Sequence, residues 1–381
     1  MINKARLVKL LQKTISFDSQ NPPGNEKSLA DFIARDMKSL KLKVDLINYA
    51  KTYRPNIIAT LKGSLPAPRA AKEAVLITPH FDTVPVGSGW THDPLGGKVV
   101  NGRLYGRGAS DDKCNLTVCM EVMRSLVEDG YKPRKGIIMA ATVDEETGSH
   151  AGILPLLEKH VLKPALAVVM DSDDFTTIVA QKGLMHLRVR IFGKKAHGAY
   201  NWLGVNAIEI AARVITQLKI MKIPYKKHPL LRPPTVNIGT IKGGDKVNMV
   251  SDFCEFSVDV RFLPGTKDKD VMNLLKSTVA SEAKKFEIII DDLQRPFEIS
   301  PKHPFVKAYV DTAKAMKIPV TLEGSQGATV ISFFPKHKIP AFAAGYGSRG
   351  TAHTTDEYCE IEKLHKGAKL LEGYLKAYDQ I

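Results

Sequence analysis

Apolar side chains recur every three or four residues over 3–16, where Leu7, Leu10, Leu11 and Ile15 interleave with Lys4, Arg6, Lys9 and Lys13. They do so again over 27–40, through Leu29, Phe32, Ile33, Met37 and Leu40. This period predicts two amphipathic helices, and Asn21-Pro22-Pro23-Gly24-Asn25 between them predicts a turn. The period drops to two at Leu42, Val44 and Leu46, which predicts a strand, with another over 56–61. Three short runs, 74–78, 136–143 and 165–170, are apolar at nearly every position. Such runs suit strands buried on both faces of a mostly parallel sheet. Leu116, Met120, Met123 and Val127 carry a helical pattern between the first two runs, so the fold class is α/β, a mostly parallel sheet flanked by helices.

Beyond Lys182-Gly183 the texture changes. Alternation over 187–192, a helical pattern over 207–218, strands near 236–241 and 253–262 and a helix over 271–285 predict an inserted α+β block. The pattern therefore divides the chain into one domain of 1–184 with 297–381 and a second of 185–296. A strand over 340–344 and a final helix close the first domain.

With 381 residues, 44% hydrophobic and 25% charged, the chain reads as globular, and disordered, collagen-like and coiled-coil classes are excluded. No apolar run approaches the ~20 residues of a membrane-spanning helix, and the basic, interrupted N-terminal pattern is unlike a signal peptide. The four cysteines, Cys114, Cys119, Cys254 and Cys359, form no CxxC pair and read as reduced core thiols. Together these features point to the cytoplasm. Lys and Arg outnumber Asp and Glu by 55 to 40. The basic residues are scattered rather than clustered, so a solvated surface and a small anionic substrate fit better than nucleic acid.

The chemistry gathers where the apolar runs end. The first stops at His80-Phe81-Asp82, the second at Asp144-Glu145-Glu146, the third at Asp171-Ser172-Asp173. Ligands bind at the carboxyl ends of strands in open α/β sheets, so three strands deliver histidine and carboxylates to one edge. His80 and Asp82 are two apart and share a face of an extended segment; imidazole with carboxylate suits a first-row divalent metal. Adjacent Glu145 and Glu146 repel unless a cation or a proton sits between them, so one can bind metal while the other stays free as a base. Asp111 stands in a glycine-rich turn, Gly106-Arg107-Gly108-Ala109-Ser110, that runs into the next helix. A carboxylate held there can bridge two metals. His353, distant in sequence, follows the 340–344 strand and can close a second coordination shell.

In this order and combination the motifs resemble the binuclear zinc peptidases and amidohydrolases, the family of acetylornithine deacetylase, succinyl-diaminopimelate desuccinylase, aminoacylase and glutamate carboxypeptidase. The resemblance runs from the Asn21 turn to His353 and is strongest over 80–113 and 144–149. It implies two Zn²⁺ per subunit, with Co²⁺ as a substitute. His80 and His353 each bind one metal, Asp111 bridges both, and Glu146 and Asp171 complete the shells, with Asp173 as the runner-up to Asp171. Glu145 is then the general base, taking a proton from a metal-bridging water that attacks an amide carbonyl, and Asp82 orients His80. A non-proline cis peptide is implied between Asp111 and Asp112. The inserted block becomes a lid that also forms a homodimer. His197, in Gly193-Lys194-Lys195-Ala196-His197-Gly198, would reach the partner subunit's site to stabilise the oxyanion, and Asn248 and Arg261 would grip the substrate's carboxylate. The implied activity is hydrolysis of an amide in a small N-acyl amino acid or dipeptide-like substrate, as deacylase, desuccinylase or peptidase. The rival class is a non-catalytic metal-binding or nucleic-acid-binding relative. One departure is specific: Gly324-Ser325-Gln326-Gly327-Ala328-Thr329 lacks the acidic residue that many relatives carry there.

Overall fold

The computed structural model describes residues 1–66 and 69–381 and divides into two compact units. One comprises 1–179, 299–323 and 329–381; the other comprises 180–298 and 324–328.

In the first unit the sheet runs Lys43–Ile47, Asn56–Leu61, Ile137–Ala141, Val75–Thr78, Leu166–Val169, Ala341–Ala344, Thr176–Gln181. The three central pairings are parallel, Val75 beside Ile137 and Leu166, and Ala341 beside Ala167. The outer pairings are antiparallel. Val75–Thr78, Leu166–Val169 and Ala341–Ala344 are buried throughout, as unbroken apolar runs require when helices cover both faces. Helix Lys113–Glu128 packs between Lys4–Ile15 and Ile361–Tyr378. It is buried on nearly every side, which is why its apolar stripe is wide.

The second unit has an antiparallel sheet in the order Thr235–Gly243, Phe253–Phe262, Gly183–Phe192, Phe286–Gln294. Helices Ala207–Ile220 and Asp268–Ala280 cover one face through Val189, Phe256, Val214 and Leu275. The other face is charged, with Arg188 paired to Asp291 at 2.7 Å and Arg190 to Glu255 at 2.6 Å. Alternation along these strands is the mark of a sheet with one face covered.

Three expectations need correction. The helix expected over 271–285 ends at Ala280, and Phe286–Gln294 is a strand; Phe286, Ile288 and Ile290 alternate there, and the apolar positions on both sides blur the change of period. Thr176–Gln181 is a strand where none was expected. Its β-branched run has the right propensity, but its apolar residues are contiguous at 178–180 and show no period of two. A three-stranded sheet of Lys98–Val100, Arg103–Tyr105 and Tyr358–Glu360 was also missed. Its strands are too short for a period, although Asn101-Gly102, both at positive φ, carries the hairpin signature. All four cysteines are free and buried, and no helix among the described residues is long and apolar enough to cross a membrane.

Candidate metal centre

Every strand-end residue singled out from the sequence in the first unit arrives at one edge of the sheet. His80 follows Val75–Thr78, and its backbone continues the parallel ladder against Thr142. Its Nε2 lies 3.0 Å from Asp111 Oδ1, and its Nδ1 lies 3.4 Å from Asp82 Oδ1 and 3.1 Å from the Asp82 carbonyl oxygen. His353 Nε2 lies 3.2 Å from Asp111 Oδ2 and 3.2 Å from Glu146 Oε1. Asp111 therefore faces one histidine with each oxygen, and the Asp111–Asp112 peptide is cis.

The Glu145-Glu146 pair is held by two buried aspartates. Asp82 has no exposed surface; it accepts the N–H groups of Glu145 and Glu146 at 3.1 and 3.2 Å and the Asn21 side-chain amide at 3.0 Å. Asp144, at φ 68°, begins the turn and accepts from Thr147 Oγ1 at 2.7 Å, Ala151 N–H at 2.9 Å and Arg54 Nη2 at 2.6 Å. Arg54 also pairs with buried Glu26 at 2.8 Å. Asp82 thus links the His80 imidazole to the backbone that displays both glutamates, a connection that spacing alone did not reveal.

Three further residues position Asp111, and none of their side chains was given a role from the sequence. Glu357 is wholly buried; it accepts the N–H groups of Ser110 and Asp111 at 2.7 and 2.9 Å and pairs with Arg107 at 2.7 Å. Asp112 accepts the His80 backbone N–H at 3.1 Å and the Asn115 amide at 2.6 Å. Asn115 in turn accepts the Tyr346 N–H at 2.9 Å and donates to the Ser172 carbonyl at 3.3 Å. The Asx-like position of Asp112 before a helix was a readable signal; Glu357 and Asn115 offered none.

Burial pushes Glu145 well above the usual carboxylate range, with repulsion from Asp171 adding to it. Asp171 is raised to about 7 by burial and by Asp111. Burial works the same way on Asp111, but hydrogen bonds to His353 and His80 outweigh it and hold that carboxyl below its usual value. His353 is raised to about 10 by its bonds to Asp111 and Glu146. Carboxylates so crowded need cations among them.

Two donor sets meet the requirement for a metal, His80 with Asp111 and Asp112, and Asp111 with Glu146 and His353; in each the ligand atoms lie within 4.8 Å of one another. Tetrahedral zinc with bonds of ~2.0–2.1 Å places its donors about 3.3 Å apart. The contacts of 3.0–3.2 Å among His80, Asp111, Glu146 and His353 match that spacing. Both Asp112 oxygens are committed to N–H donors, so it positions rather than ligates. Asp171 belongs to neither set but shares the field of Asp111, His80 and Glu146. Asp173 faces Arg349 at 3.6 Å instead.

The second unit carries the other sequence candidates. His197 is exposed at the end of a short strand against Met249, and its Nδ1 accepts the Ala199 N–H at 3.1 Å. Asn248 supplies the carbonyl that accepts the Gly198 N–H at 2.8 Å. Arg261 lies on Phe253–Phe262 with its guanidinium on Asp259 at 2.8 Å.

Buried carboxylates and two histidines at the strand ends of an α/β sheet mark a metal-binding protein with room for two ions. The family model of peptidase family M20/M25/M40 matches residues 76–377, and the chain belongs to that family. The acetylornithine deacetylase of Vibrio cholerae serotype O1 is 29% identical over 379 residues, covering 95% of this chain and 94% of that protein. A tripeptidase from Staphylococcus aureus has the same fold, with a TM-score of 0.82 at 24% identity over 100% of both chains. So has an M20 family metallo-carboxypeptidase from Sulfolobus solfataricus, with a TM-score of 0.80 at 20% identity over 98% of this chain and 99% of that one. The protein is thus a hydrolase whose metal-dependent reaction breaks an amide bond in acyl amino acids or small peptides.

Proposed function

We propose that the protein is a dinuclear zinc amidohydrolase that cleaves a small N-acyl amino acid or dipeptide-like substrate bearing a free carboxylate. His80 and His353 would each hold one ion, with Asp111 shared between them and Glu146 and Asp171 as further ligands; Co²⁺ would be the substitute. The observation that carries this reading is Asp111 with one oxygen on each histidine. When bound, the two ions supply Lewis acidity to the scissile carbonyl and to the attacking water.

The remaining chemistry belongs to the chain. Glu145 is the base: it adjoins Glu146 but belongs to neither donor set, so its carboxylate is free to take the proton of the attacking water and hand it to the departing amine. Asp82 keeps His80 oriented and, through the N–H groups of Glu145 and Glu146, fixes the base relative to the ligands. The second unit, as a lid, contributes Asn248 and Arg261 to the substrate's carboxylate. Its His197, with Nδ1 already engaged, offers Nε2 to the developing oxyanion in another subunit.

A homodimer through this unit is supported by its exposed apolar side chains, Trp202 at 72%, Leu203 at 58% and Val247 fully open. Four free cysteines fit a cytoplasmic enzyme.

The reading is tested with chelator-stripped protein, with and without Zn²⁺ or Co²⁺, on N-acetyl, N-succinyl and dipeptide substrates. Glu145→Ala should keep both metals and lose about 10³-fold or more in kcat. Loss of metal in that variant would exchange the roles of Glu145 and Glu146. For the dimer, sedimentation should give two chains for the wild type and a weakened association for Trp202→Ala; an unchanged monomer in both would remove that part of the reading.

A further inference from the structure

At the opposite edge of the first unit's sheet, two similar turns meet. Lys159-His160-Val161-Leu162-Lys163-Pro164 follows helix Ile153–Glu158 and leads into strand Leu166–Val169. Lys336-His337-Lys338-Ile339-Pro340 follows the same logic into Ala341–Ala344. Those strands are parallel neighbours, with Ala341 beside Ala167, so the two basic turns are brought together. The imidazoles of His160 and His337 meet edge to face, with ring centroids 6.1 Å apart.

Between the turns lies a cleft of about 470 Å³ lined by His160, Lys163, Lys336, His337 and Lys338. Its floor is apolar, formed by Leu162 and Ile339, which are 3% and 7% exposed. No carboxylate lines it. The nearest acid engaged with it, Glu158, pairs with Lys336 at 3.1 Å. Among the described residues Lys163 and Lys338 have no ion-pair partner, and His337 Nε2 is buried without a hydrogen bond. Three lysines beside a low-dielectric floor concentrate positive potential, while burial and the neighbouring Lys336 and His160 lower His337 and leave it a neutral hydrogen-bonding group. Lysine ammonium groups act as point charges on phosphate.

We propose that this cleft binds a phosphate-bearing small molecule. It is separate from the metal centre, because the strands that begin here end there, about 13 Å away at 3.3 Å per residue. The cleft volume falls in the ordinary range for small ligands, so an organic phosphate or free phosphate can occupy it.

The experiment is calorimetric titration of the metal-loaded full chain with inorganic phosphate and, separately, with fructose 1,6-bisphosphate, at about 0.15 M ionic strength. The test variant is Lys163→Gln, Lys336→Gln, Lys338→Asn, asparagine being chosen because Lys338 sits at φ 59°. A control variant neutralises the exposed Lys9, Lys38 and Lys51, so net charge is matched. The expected result is saturable binding that weakens at least tenfold in the test variant and is retained in the control, with phosphate-free hydrolysis unchanged in both. Tighter binding of the bisphosphate identifies an organic phosphate; equal binding identifies free phosphate. Equal isotherms for the wild type and the test variant, or equal weakening in test and control variants, overturn the proposal.

Discussion

Glu357 has no exposed surface and touches no metal ligand side chain, yet it carries the backbone of the proposed bridging carboxylate. In Glu357→Gln the remaining carbonyl oxygen can still accept from Ser110 and Asp111, but an amide NH₂ then faces Arg107, itself only 3% exposed. Losing a charged hydrogen bond costs about 1.5–3 kcal/mol, and breaking a buried ion pair from one side costs about 3–5 kcal/mol. Arg107 keeps its bond to the Thr354 carbonyl at 3.1 Å, which places the loss near the overlap of those ranges, about 3 kcal/mol. Trp90 is the reporter, because its ring stands 5.1 Å from the Arg107 guanidinium. A urea titration of metal-stripped protein followed by its fluorescence should show the midpoint falling by about 1 M, for a slope near 3 kcal/mol/M. Chelator competition should show metal affinity reduced by roughly tenfold or more, as for other groups that orient ligands. A midpoint within about 0.2 M of wild type, with unchanged metal affinity, would refute the reasoning.

Two other outcomes follow from the same geometry. Arg54→Met removes the partner of Glu26 and Asp144, two buried carboxylates at 2.8 and 2.6 Å; a loss of about 3 kcal/mol and a lower kcat at unchanged metal content are expected, and retained stability in denaturant would contradict it. In the metal-stripped protein His353 is raised to about 10 by Asp111 and Glu146, above its unfolded value near 6.5. Its stabilising contribution is therefore complete below about pH 6.5 and lost as pH rises through about 10, and its 53% exposure keeps it small. His353→Ala should accordingly destabilise the stripped protein more at about pH 6 than at about pH 10; equal losses at both would sink the idea.

The sequence by itself determined the class of the fold and the residues that meet at the sheet edge. Nearly continuous apolar runs at 74–78, 136–143 and 165–170, too short for helices and bounded by polar residues or proline, suit doubly covered strands, and each ends in His or carboxylate side chains. His80, Asp111, Glu146 and His353 were legible because their types and their places after strands or a glycine turn are local properties. Helical and strand periods in the second unit were equally legible, except where apolar positions on both sides of residue 285 blurred the change from helix to strand. What only the tertiary structure decided is how distant segments hold those residues. Glu357 under Asp111, Asn115 against Tyr346, Arg54 between Glu26 and Asp144, and the two basic turns across neighbouring strands are all pairings of residues far apart in the chain. A buried polar group must find a partner, but the chain does not say locally which one. That choice is made when packing of the sheet and its helices brings the partners within reach.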